Sequence, residues 1–149
     1  MNEIKTQGKV SSLRSRVFVI EDHELMRRSI VEAINREPAL VVCGQANDVK
    51  EAFAAILVME LDLVLTDIQL KSSSGLDLIK AIHEHAPGLP IVATTMFDGL
   101  RNERLARAAG ASAFVSKDEG PEKLIAAVHA ALRQAKITPQ PLQQISGEQ

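Results

Sequence analysis

Residues 63–75 read LVLTDIQLKSSSG, and this stretch decides the fold. Leu63-Val64-Leu65 is a run of aliphatic residues with no polar alternation, the pattern of a strand covered on both faces. The run ends on Thr66-Asp67 and passes into a polar loop with three serines before Gly75. A core strand therefore hands over a carboxylate at the point where the chain surfaces.

Four similar runs flank it: Val17-Phe18-Val19-Ile20, Leu40-Val41-Val42-Cys43, Pro90-Ile91-Val92-Ala93 and Ala113-Phe114-Val115. Helical periodicity fills the intervals. Met26, Ser29, Ile30, Ala33 and Ile34 mark one face of a first helix. Val49, Ala52, Phe53 and Ile56 mark a second, and Leu76, Ile79 and Ile82 a third. Leu124, Val128 and Leu132 mark the last, while the segment between Gly99 and Ala109 carries few large apolar residues. Ser74 with Asp77 resembles a capping box, and Gly110 stands where a helix should stop. The order is (βα)×5, which predicts a parallel sheet between helical layers with right-handed crossovers. Residues 1–15 are expected to be a flexible arm, 16–136 the folded domain, and 137–149, rich in Pro and Gln, a tail or linker.

Composition narrows the function. Apolar residues make up 46% of the 149, enough for a core, and aromatic residues only 3%, so that core is aliphatic. A net charge of −2 offers nothing to attract nucleic acid in bulk. The lone Cys43 reads as a small buried hydrophobe, rules out an intramolecular disulfide and fits a reducing cytoplasm. The longest apolar run, Ala52 to Met59, is too short to cross a bilayer, and no signal peptide is read at the N-terminus.

In open parallel sheets, chemistry gathers at the carboxyl ends of the strands. The first strand ends on Glu21-Asp22, the third on Asp67, the fourth on Thr94-Thr95 and the fifth on Ser116-Lys117. Three carboxylates on one rim raise one another's pKa, and a hard cation relieves the repulsion. A carboxylate beside Mg²⁺ can attack a phosphoryl group, while a lysine and a hydroxyl neutralise or hydrogen-bond its oxygens.

The residues that carry this pattern are Val19-Ile20-Glu21-Asp22-His23 with Arg27, and Asp67-Ile68 with Gly75 eight positions on. Pro90-Ile91-Val92 through Thr95-Met96, and Gly110 through Asp118, complete it. In this order they resemble the receiver domain of two-component response regulators, the CheY-like fold, from about Arg16 to about Ala135. The likeness is closest to the NarL/FixJ subgroup usually joined to a LuxR-type helix-turn-helix. It implies a doubly wound, flavodoxin-like α/β three-layer sandwich with five parallel strands in the order 2-1-3-4-5. It also implies residue roles. Asp67 matches the phosphoacceptor. Glu21 and Asp22 match the acidic pair that holds Mg²⁺ (or Mn²⁺) with Asp67, and Gln69 the position that lends a backbone carbonyl to the metal. Thr95 matches the switch hydroxyl, Phe114 the switch aromatic and Lys117 the phosphate-binding lysine.

The implied function is a Mg-dependent phosphoacceptor rather than a turnover enzyme, charged by a histidine kinase or phosphotransfer protein. It would control a downstream protein or a fused output domain through the fourth and fifth helices, and a phosphorylation-linked homodimer is compatible with it. The row Arg101, Arg104 and Arg107 is either a solvated face or a docking surface for an acidic partner. Neither nucleic acid nor membrane is expected as a direct partner.

Some positions depart from the family pattern. Lys71 stands where Pro is frequent, which predicts a mobile loop, Lys117 is followed by Asp118 instead of Pro, and Glu21 replaces the more usual Asp. The histidines are read as needing no function, His23 included, as a solvated neighbour of the acidic pair. The competing readings are a phosphorylation-independent interaction module on the same fold and a haloacid-dehalogenase-type phosphatase. The second lacks its Asp-x-Asp, because Gln69 stands two after Asp67. The chain is read as a stand-alone receiver or as one separated from an output domain.

Overall fold

The computed structural model describes residues 14–70, 73–96 and 99–137. Most of the expected arm, the tail beyond Ile137, and Lys71 with Ser72 lie outside the described residues.

Five strands alternate with five helices. They run β1 (Ser15–Ile20), α1 (Glu24–Asn35), β2 (Leu40–Ala46), α2 (Val49–Val58), β3 (Leu63–Asp67) and α3 (Gly75–His85). Then come β4 (Ile91–Thr95), α4 (Leu100–Ala109), β5 (Ala113–Ser116), a 3₁₀ turn (Lys117–Glu119) and α5 (Pro121–Ile137). All strand pairs are parallel and the order is β2-β1-β3-β4-β5, as the resemblance implies. Ser15, expected in the arm, is the first residue of β1.

The sheet divides the core in two. Val17, Val19, Leu63, Leu65, Val92 and Val115 pack against Ile30 and Ile34 of α1 and Leu124, Val128 and Leu132 of α5. Phe18, Ile20, Val64, Ile91 and Ala93 face Ala52 and Ile56 of α2, Leu78, Ile79 and Ile82 of α3, and Ala106 of α4. Each fully buried Val, Leu, Ile or Phe among them contributes about 1.5–3 kcal/mol of hydrophobic transfer energy. The central strand β3 is buried at all five positions, Asp67 included.

Three sequence readings need correction. The Leu40–Cys43 run belongs to an edge strand that continues to Ala46 and is only partly covered along most of its length. Ser29 is exposed, because α1 turns its inner stripe through Ile30, Ala33 and Ile34. In α3 the fully buried aliphatic is Leu78 rather than Leu76, since the stripe starts at Gly75 and steps three and four residues at a time.

The caps follow the local sequence. Ser74 accepts a hydrogen bond from the Asp77 N–H at 3.4 Å, and Asp48 accepts from Glu51 N–H at 2.8 Å. Gly110 ends α4 with φ of 126°, where its N–H reaches the carbonyls of Ala106 and Arg107.

Gly75 closes the 63–75 stretch for a steric reason. A Cβ there would lie 2.0 Å from the Asp67 carbonyl oxygen and 2.7 Å from Ile68 Cα. Backbone cannot yield as a flexible side chain can, so Gly75→Ala is expected to destabilise the protein by about 1–3 kcal/mol. Urea denaturation measures this; unchanged stability would show that the loop relaxes freely.

Candidate functional site

The order reversal of the sheet falls between β1 and β3, and the carboxyl ends of these strands form the crevice where such sheets bind ligands. Glu21 follows β1 directly and is buried; Asp67 ends β3 and is buried. Lys117 opens the 3₁₀ turn after β5 and reaches across the rim. Its Nζ donates to Glu21 Oε1 at 2.6 Å and to Asp67 Oδ2 at 2.7 Å. All three side chains are at most 5% exposed.

The second oxygens of Asp67 and Glu21 are also committed. Asp67 Oδ1 accepts the Gln69 N–H at 2.9 Å. Glu21 Oε2 accepts the His23 N–H at 3.2 Å and lies 3.3 Å from His23 Nδ1. Asp22 is turned to the same place, with Oδ1 3.3 Å from His23 Nδ1. Thr95 is fully buried at the last position of β4, in register with Ser116. Thr94 differs, because its hydroxyl donates back into the sheet, to the Thr66 carbonyl at 3.4 Å. Phe114 is half-buried and packs on the α2–α4 side.

The structure thus brings Glu21, Asp22, Asp67, Gln69 and Lys117 to one rim, with Thr95 and Phe114 on the two strands beside β3. Arg101, Arg104 and Arg107 are all exposed, and Arg107 also pairs with Glu103 at 3.0 Å and donates to the Ser112 carbonyl at 3.2 Å. His23, read as a solvated neighbour of the acidic pair, is exposed, and sequence reasoning did not resolve that it leans over that pair. Sequence reasoning also missed the Ser116 hydroxyl, which donates to the Asp118 carboxylate across the turn that carries Lys117. Both are contacts between near neighbours, and the sequence holds no signal of which rotamer each side chain takes.

Three carboxylates face one ammonium, so negative charge is in surplus. Two pKa shifts are resolved in the pocket. Asp67 is raised above the usual carboxylate range, first by burial and then by the Glu21 charge, against the hydrogen bonds of Lys117 and Gln69. Burial works against the Lys117 charge, yet the hydrogen bonds and charges of Asp67 and Glu21 outweigh it and its pKa is raised. A clustered set of hard oxygen donors with net negative charge fits a divalent cation of the Mg²⁺ type.

Residues 17–129 match the response regulator receiver domain. The chain belongs to the response regulator receiver family. The nitrate/nitrite response regulator protein NarP of Escherichia coli is 29% identical over 121 residues, which are 81% of this chain and 56% of NarP. The chain therefore spans about half the length of that relative. A LuxR-family two-component response regulator from Aurantimonas sp. SI85-9A1 is 28% identical with a TM-score of 0.78, over 81% of this chain and 86% of that one. A CheY-like receiver from Methanospirillum hungatei shares the fold, with a TM-score of 0.75 at 24% identity over 83% and 97% of the two chains. Phosphorylation and Mg²⁺ binding are typical of this receiver family.

Lys117 has a folded pKa above its unfolded 10.5, so its stabilisation is complete below that pH and is lost as pH rises through the folded value. Asp67, also raised, favours the folded state only while protonated, and that contribution disappears as pH rises through its folded value. Lys117→Ala leaves two buried carboxylates without their ammonium, a change that costs about 3–5 kcal/mol. The loss is expected in full near pH 8 and to shrink at about pH 4, where Asp67, with its raised pKa, needs less counter-charge. Urea titrations at the two pH values measure it, and an equal loss at both would mean that Lys117 acts through packing alone.

Proposed function

We propose that the protein is a phosphorylation-controlled switch of a cytoplasmic two-component pathway, with Asp67 as its phosphoacceptor. The observation that carries this is the Lys117 bridge, which holds an ammonium 2.7 Å from a buried strand-end carboxylate in a pocket with surplus negative charge. In the transfer, an Asp67 carboxylate oxygen forms the new O–P bond. The N–P bond to the donor histidine of a kinase or phosphotransfer protein breaks, and its electron pair leaves with the imidazole. Glu21, Asp22, Asp67 and the Gln69 carbonyl would hold Mg²⁺ (or Mn²⁺), which would supply charge neutralisation for the phosphoryl oxygens. Lys117, already beside Asp67, supplies a second cation to the same oxygens.

The phosphoryl group adds roughly −1.5 to −2 charge at the rim. Thr95 turns its hydroxyl toward it and Phe114 rotates inward behind Thr95, shifting the population of the α4–β5–α5 face. Arg101 and Arg104 lie on that face together with the exposed Leu100 and Leu105. Such a mixed surface suits an acidic, partly apolar partner: a downstream protein, a fused output domain or a second phosphorylated copy.

Incubation of the protein with Mg²⁺ and phosphoramidate is expected to add the mass of one phosphoryl group, and Asp67→Asn to abolish the gain. Thr95→Val is expected to keep the gain but to lose most of the amide shift response on α4, as read by NMR. A mass gain that survives in Asp67→Asn would remove Asp67 from the role.

A further inference from the structure

Arg27 lies in the first turn of α1 and takes no part in the chemistry proposed above. Its guanidinium nevertheless holds two points at the rim. Nη1 donates to the Glu21 carbonyl oxygen at 2.8 Å, and Nε donates to Gln45 Oε1 at 3.0 Å. Arg27 thereby ties α1 to the end of β1 and to the exit of β2. From the other side of the same residue, the Glu21 N–H donates to the Ala46 carbonyl at 3.1 Å. Glu21 is therefore clasped at both its N–H and its C=O.

The clasped carbonyl belongs to the peptide unit that ends in the Asp22 nitrogen, and a peptide unit is planar. Fixing that carbonyl fixes the angle at which the Glu21 and Asp22 side chains leave the strand. Little else on α1 serves this purpose, since His23 gives the helix no side-chain cap. A planar guanidinium fork suits the task, because it delivers two N–H groups in set directions.

We propose that Arg27 is a positioning residue for the acidic pair. It sets the Glu21–Asp22 peptide so that both carboxylates converge on the cation and phosphoryl site, and it does so by hydrogen bonds rather than by charge. This rests on the reading of the rim as a Mg²⁺-dependent phosphoacceptor site.

Charge and positioning predict opposite signs. A guanidinium near the rim repels Mg²⁺, so if charge were its role its removal would tighten Mg²⁺ binding. If Arg27 orients the ligands, its removal weakens binding. Arg28 provides the control: it is the adjacent residue of the same helix, carries the same charge, and pairs with exposed Glu24 at 3.3 Å.

The test is calorimetric titration of the whole chain with Mg²⁺, with the Glu21 and Asp22 amides followed by NMR. Arg27→Ala is expected to bind Mg²⁺ roughly tenfold more weakly, in line with other residues that orient metal ligands. Phosphorylation by phosphoramidate should then slow at limiting Mg²⁺ and recover at saturating Mg²⁺. Gln45→Ala, an exposed change that frees one arm of the fork, should weaken binding roughly threefold. Arg28→Ala should leave it unchanged or slightly tighter. Arg27→Ala binding as tightly as the wild type, or more so, overturns the proposal. If that variant does not fold, unchanged binding in Gln45→Ala overturns it instead. A wild type that binds no Mg²⁺ overturns the phosphoacceptor reading and this inference together, so the two failures are distinct.

Discussion

Lys117 spans from the far edge of the sheet to its centre, and the ends of β1, β3 and β5 depend on where its ammonium sits. Glu21 and Asp67 are carboxylates at positions where a soluble domain ordinarily keeps aliphatic side chains. Taking a single carboxylate out of water costs several kcal/mol, and two side by side repel each other as well. One ammonium at 2.6 and 2.7 Å offsets much of that, but not all, because Asp22 adds a third acid. The pocket is held together and left short of positive charge at the same time. That imbalance favours a bound cation.

The scaffold around this bridge is unequal in stiffness. On the chemical side, β3 is buried throughout, Gly75 brings α3 against the Asp67 backbone, and α3 buries Leu78, Ile79 and Ile82. Moving Asp67 would disturb all of these contacts. On the other side α4 buries only Ala106, and its large aliphatics Leu100 and Leu105 face solvent. A helix held by so little buried surface is inexpensive to displace. The same sheet therefore carries a rigid mount for the carboxylate and, beyond β4, an element whose position responds to small forces.

Much of this was legible in the chain. Five near-continuous aliphatic runs separated by helical periodicity specify a parallel sheet covered on both faces, because only such strands have no wet side. The strand-end residues Glu21, Asp22, Asp67, Thr95 and Lys117 could be read off once the runs were placed. What was misjudged depended on neighbours far along the chain. Leu40–Cys43 read as doubly covered, yet β2 has a partner on one side only, and edge position is a property of strand order.

The sequence by itself determined the fold class and which side chains stand at the carboxyl ends of the strands, because hydrophobic period and strand ends are local properties of the chain. Only the tertiary structure decided how those side chains meet. That one lysine after β5 joins the acids at the ends of β1 and β3, that Gly75 must lack a Cβ against the Asp67 carbonyl, and that Arg27 clasps the Glu21 peptide all follow from segments 50 to 96 residues apart in sequence, or a loop and a helix start, being packed into contact. Distances of that kind are set by the sheet order and the twist of the packed layers, and no stretch of residues carries them alone.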